Sequence, residues 1–165
     1  MTQFALPLLA FAVQAAENVT AVPSPNVAGC YLERVQARSG QKLTTTYSYL
    51  EIRNGTEGSL EFEAVVIGGN FNICGAEGKL EPLRSARNYT VLRLLPSEQQ
   101  LTDEKGSGAT PCRLQIIVTS RQVALYDTDQ ACREYFGCGS GTALNGQSFH
   151  RRRTKQTKGV RCPPF

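Results

Sequence analysis

Few residues in the chain could carry reaction chemistry, and their spacing decides what each could do. Glu61 and Glu63 are carboxylates at i and i+2. On an extended strand that spacing puts both on one face, within the roughly 5–10 Å that a glycoside hydrolase requires between its two carboxylates. Alternation of glutamate with apolar residues is also the ordinary pattern of a solvated sheet face, so the pair points to surface before it points to catalysis. The single histidine, His150, is embedded in a basic run, and a Ser-His or Cys-His arrangement therefore lacks an obvious base. No G-x-S-x-G, phosphate-binding loop or dinucleotide fingerprint occurs. The expectation is a non-enzymatic chain with no cofactor.

The six cysteines, Cys30, Cys74, Cys112, Cys132, Cys138 and Cys162, are the other reactive set. Zinc would call for a C-x-x-C or a cysteine-histidine cluster, and neither is present, so no metal is expected. An even number of thiols in a chain of this size fits disulfides formed in an oxidising compartment. Sequence leaves fifteen connectivities open. Position along the chain suggests Cys30 with Cys162, tying the chain ends, and Cys112 with Cys132, flanking a hairpin, which leaves Cys74 with Cys138.

Export is consistent with the N-terminus. Met1 to Ala16 carries an apolar run from Phe4 to Val13, then small residues where a signal peptide would be cut, although no Lys or Arg precedes the run. About ten apolar residues are too few to span a bilayer, which takes about 20. Residues 1–16 are thus read as a signal peptide and 17–29, with Pro23 and Pro25, as an extended segment. The compartment expected is the periplasm or the exterior. Three sequons, at Asn18, Asn54 and Asn88, would matter only in a eukaryotic secretory pathway.

The elements that must position these residues read as strands. Tyr31, Glu33, Val35 and Ala37 alternate on one face; Leu50 and Ile52 share a face opposed to Tyr49 and Glu51; Leu60, Phe62, Ala64 and Val66 alternate with Ser59, Glu61 and Glu63. Asn54-Gly55 and Glu57-Gly58 mark the turn between the last two. Gly68-Gly69-Asn70 turns the chain toward Cys74, a short strand is expected around Lys79-Leu80, and Tyr89 to Leu95 supplies another. Residues 96–111 form a polar loop without periodicity.

Cys112 to Phe149 is the organising stretch. If Thr119 pairs with Gln122, Val118 faces Val123 and Ile116 faces Leu125, two apolar cross-strand pairs on one side of a half-buried hairpin. Ser120-Arg121 is not a favoured two-residue turn, so a four-residue loop in the same register is equally acceptable. Arg121 to Tyr126 and Ala131 to Phe136 have some helical character, but neither combines a cap with length, and no helix is expected. The sum is an all-β chain: a single small antiparallel barrel or sandwich of about seven or eight strands, disulfide-stapled, over residues 30–149.

A basic tail, 150–165, completes the chain. His150 to Arg161 holds six of the 18 Lys and Arg and no acid, leaving 12 bases against 14 acids elsewhere, a net of −2. The sequence pI near 8.8 thus comes from the tail. Arg151, Arg152, Arg153, Lys155 and Lys158 are candidate contacts for an anionic envelope polymer such as lipopolysaccharide or an acidic glycan. No aromatic interleaves them, so base stacking is not indicated and nucleic acid is not the expected partner.

Residues 60 to 150 also carry a resemblance. C-R-L-Q-I-I-V from Cys112, Tyr126-Asp127, Cys132-Arg133, Cys138-Gly139 and Leu144 to Phe149 look like the C-terminal half of small exported bacterial β proteins, and Gly69 to Leu80 is similar to the cysteine-bearing strand preceding it there. More distantly the arrangement resembles the periplasmic β-barrel inhibitors of lysozyme. Those acting on animal-type lysozyme share a Ser-Gly-x-x-Tyr loop that enters the enzyme cleft. The matching residues are Ser140-Gly141-Thr142-Ala143-Leu144, with leucine replacing tyrosine. The resemblance implies a binding protein that inhibits a cell-wall-lytic enzyme through Ser140, Gly141 and Thr142.

Overall fold

The computed structural model describes residues 26–97, 111–152 and 162; residues 1–16, where a signal peptide is expected, residues 17–25, most of the polar loop and tail residues Arg153, Lys155 and Lys158 lie outside that range. Eight antiparallel strands among the described residues close into one barrel in sequence order. They are β1 (Gly29–Ser39), β2 (Lys42–Asn54), β3 (Leu60–Ile67), β4 (Ile73–Ser85), β5 (Tyr89–Leu94), β6 (Gln115–Thr119), β7 (Gln122–Tyr126) and β8 (Ser148–Arg151). β8 pairs with β7 on one side and with β1 on the other, which closes the wall.

Period-two alternation decides which face is inside. Tyr31, Leu50, Ile52, Phe62, Leu92 and Phe149 point inward and are at most 1 % exposed. Each such side chain contributes about 1.5–3 kcal/mol through burial. The outward rows carry Glu51, Glu61, Glu63, Glu77 and Lys79. A transmembrane barrel shows the reverse, an apolar exterior band. No helix of the described residues is long and apolar enough to cross a membrane.

The expected β6–β7 register is present, with Val118 opposite Val123 and Ile116 opposite Leu125. The turn is the tight one, in spite of Ser120-Arg121, because Thr119 supplies what the turn residues lack. Its hydroxyl accepts the amides of Gln122 (3.0 Å) and Arg121 (3.3 Å) and donates to the Gln122 carbonyl (3.0 Å).

Three features differ from the sequence expectation. β4 is a continuous 13-residue strand rather than a short one around Lys79-Leu80. Its glycines and proline look like breaks, but Gly78 is inside the barrel, where a Cβ would fall 2.6 Å from Leu94 Cδ1, and Pro82 sits where the β4–β5 register shifts. A short helix, α1 (Ala131–Tyr135), is present where none was expected. It has no side-chain cap at Gln130; instead the buried Asp127 accepts the Cys132 amide at 3.1 Å. Finally, β8 continues through His150 and Arg151, so the wall includes the first residues of the basic run.

All three bridges suggested by chain position are formed: Cys30–Cys162, Cys74–Cys138 and Cys112–Cys132. Three disulfides belong to an oxidising, non-cytoplasmic setting. Two of them gather at the end of the barrel where β7 hands over to β8. The third sits at the opposite end, beside the start of β1.

Candidate functional site

The connection from Asp127 to Gln147 caps one end of the barrel. α1 is fastened by Cys132 to Cys112, and the glycine-rich turn after it by Cys138 to Cys74 on β4. The candidate loop residues are drawn into this cap. Thr142 is buried and donates to the Asn72 carbonyl at 3.2 Å; the Asn72 side-chain amide donates to the Ser140 carbonyl. Gly68 makes the fit possible, since a Cβ there would lie 2.9 Å from Thr142 Oγ1 and 3.0 Å from the Gly141 carbonyl. Leu144, at the position of the inhibitor tyrosine, is 1 % exposed and belongs to the core. Ser140 and Gly141 remain exposed, the latter with φ +84°. What the loop presents outward is one hydroxyl and bare backbone.

The carboxylate pair stands on the convex exterior of β3. Glu63 lies between Glu51 on β2 and Glu77 on β4, while Glu61 lies between Arg53 and Lys79. The Tyr49 hydroxyl donates to Glu63 Oε1 at 3.2 Å, and burial, together with the charges of Glu63 and Glu51, raises the phenol pKa. An open groove of about 780 Å³ passes Glu61 and Glu77 toward Glu134 and Tyr135. It mixes both signs of charge, and among the described residues no group of three metal-donor side chains converges.

The third candidate is the base of the barrel. Arg151 is not available to a polyanion: Nη1 donates to the Asn26 carbonyl at 2.8 Å, Nη2 to the Ala28 carbonyl at 2.7 Å, and the guanidinium stands 5.7 Å over the Tyr31 ring. It holds the incoming chain against β1. The Arg152 amide donates to the Cys30 carbonyl at 3.0 Å, and Cys30 is bridged to Cys162. Arg152 and Cys162, the described residues on either side of 153–161 in the sequence, are thus both fastened to Cys30. Arg153, Lys155 and Lys158 lie between them in the sequence.

Topology adds cations that sequence separation conceals. Arg121, in the β6–β7 turn, accepts the Arg151 amide on its carbonyl at 2.7 Å and so stands beside the root of the loop. Arg87, in the β4–β5 turn, lies at the same end and is also exposed. The turns at this end, 55–59, 86–88 and 120–121, contain Glu57 as their single acid. His150, the only histidine, is exposed on the outer face of β8 between Leu32 and Gln122. No protein-family model, curated protein or solved structure matches this chain, so the resemblance to exported β proteins and lysozyme inhibitors has no support beyond the quoted residues.

Proposed function

We propose that the chain is an exported, non-enzymatic binding domain that holds an anionic polymer, of the lipopolysaccharide or acidic-glycan class, at the base of its barrel. Its place of action is the periplasm or the cell exterior. The observation that carries this reading is the Cys30–Cys162 bridge with the adjoining Arg152 amide to Cys30 carbonyl bond, two fixed points that bracket, in the sequence, the five cations Arg152, Arg153, Lys155, Lys158 and Arg161. A chain fixed at both ends loses less conformational entropy on binding than a free tail does. Arg121 and Arg87 extend the same positive surface, and the remaining wall, with its glutamate row, orients a polyanion toward the base by repulsion.

Heparin serves as the probe. The reading expects salt-sensitive binding that falls at least tenfold when Arg153, Lys155, Lys158 and Arg161 are all replaced by glutamine; equal binding by both chains would overturn it. Inhibition of a lytic enzyme is the second reading, favoured by Ser140 and Gly141 standing exposed on a bridged cap. Animal-type lysozyme assayed with the same two proteins separates the readings, because that activity would survive the glutamine substitutions.

A further inference from the structure

β1 and β2 outrun their neighbours. β2 pairs with β3 only from Tyr49 to Asn54, and β1 pairs with β8 only at Tyr31 and Leu32, so residues 33–48 form a two-stranded ribbon. Ser39 and Lys42 close it through Gly40-Gln41, with Gly40 at φ +59° in the first central position of the turn. From that closure the ladder alternates, and the backbone groups of Leu43, Thr45 and Tyr47 point away from β1. No backbone bond within the described residues takes them up. The β3 ladder stops short of them: its last pair is Tyr49 with Val65, and the Ile67 amide, which would continue it, donates to the Ser48 hydroxyl at 2.9 Å.

The two edges of the ribbon are treated differently. On the β1 edge the Arg38 amide donates to the Gly69 carbonyl at 2.7 Å, and Arg34 and Arg38 place charges along it. The β2 edge, from 43 to 47, has no charge, proline or bulge, the devices that keep edge strands from pairing. Its outward side chains are exposed, Leu43 at 57 % and Tyr47 at 43 %.

We infer that this edge pairs with a second copy of the chain, antiparallel and centred on Thr45. The segment is self-complementary in that register. Thr45 meets Thr45 of the second copy, Leu43 meets Tyr47 of the second copy in both directions, and Thr44 meets Thr46 on the opposite face. Lys42 meets Ser48, so no like charges are opposed. About six backbone hydrogen bonds form across the two-fold axis. The β1 edge could not do the same: centred on Gln36, it would set Arg34 against Arg38 twice.

Sedimentation velocity on the full mature chain tests this, with Thr45→Lys and Thr45→Glu as variants. The wild type is expected to dimerise with rising concentration. Each variant alone is expected to weaken the dimer by about tenfold or more, because like charges meet on the axis. An equimolar mixture of the two is expected to restore it as a heterodimer. Leu43→Glu mixed with Tyr47→Lys repeats the rescue at the flanking pair, and circular dichroism verifies that each variant is folded. A wild type that stays monomeric up to millimolar concentration, a dimer that single charges leave intact, or mixtures that fail to reassemble would each overturn the inference.

Discussion

The Cys30–Cys162 bridge joins residues 132 apart, whereas Cys112–Cys132 joins residues 20 apart. Cross-linking limits the unfolded chain, and the loop-closure entropy removed grows with the logarithm of the separation. The terminal bridge is thereby worth about 5 kcal/mol and the cap bridge about 3 kcal/mol. Replacing Cys30 and Cys162 by alanine removes no core packing, since neither is among the fully buried side chains. The loss of about 5 kcal/mol would act through the unfolded state and consume a large share of the 5–15 kcal/mol ordinary for a domain. Equilibrium urea unfolding of the oxidised variant reads it: at a slope of about 1.5 kcal/mol per molar, the midpoint falls by about 3 M. The paired Cys112→Ala and Cys132→Ala variant carries the smaller entropic loss, but it also trims buried side chains at 6 % and 0 % exposure, which adds to its cost. A terminal-bridge variant less than about 1 kcal/mol below the wild type would refute the reasoning, because the bridge would then not be constraining the unfolded chain.

Other outcomes follow from single contacts. Glu33 points inward opposite Ser48, and one of its carboxylate oxygens, Oε2, is buried without a partner. Burial raises its pKa, partly offset by His150. A raised folded-state pKa costs stability above the ordinary carboxylate range, and that cost fades as pH falls through the folded value. Glu33→Gln should therefore stabilise at pH 7 and make little difference near pH 4, measured by thermal unfolding at both. Leu144→Ala should cost about 2–5 kcal/mol, and Asn72→Ala, which removes the side-chain amide donor to the Ser140 carbonyl but leaves the Thr142 bond to the Asn72 backbone carbonyl in place, about 1 kcal/mol; both are read by urea unfolding, and a Leu144→Ala cost near zero would contradict the burial of the cap. Thr119→Val should lose about 1 kcal/mol by leaving the Arg121 and Gln122 amides without their acceptor, checked by faster amide exchange in that turn.

Alternation made the barrel wall readable. Spacing alone puts Phe62 and Val66 on one row and Leu50 with Ile52 on another, and it also sets the β6–β7 register, because one residue of slip would expose Val118 and Val123 together. Contacts between distant segments were not readable. Nothing in the sequence tells that the Leu94 side chain fills the space of the Cβ that Gly78 lacks. The helical character of Ala131 to Phe136 is too weak to decide the matter in the sequence because what holds α1, the Asp127 carboxylate and the Cys112 partner of its bridge, lies outside its own five residues. At the candidate sites, the basic run was plain in the sequence. That Arg151 is spent on Asn26 and Ala28, that Arg121 joins the base, and that Thr142 and Leu144 turn inward depend on which strands are neighbours, and composition does not report that.

The most direct test of the binding account is the heparin affinity of the oxidised wild type against the Cys30→Ala, Cys162→Ala chain at equal ionic strength, under conditions where both are folded. The two proteins carry identical cations and differ only in whether the loop is closed. The account expects about tenfold weaker binding once the loop is open, since ordering a free tail costs entropy that the bridge has already removed. Equal affinity, or no affinity in the wild type, would contradict it.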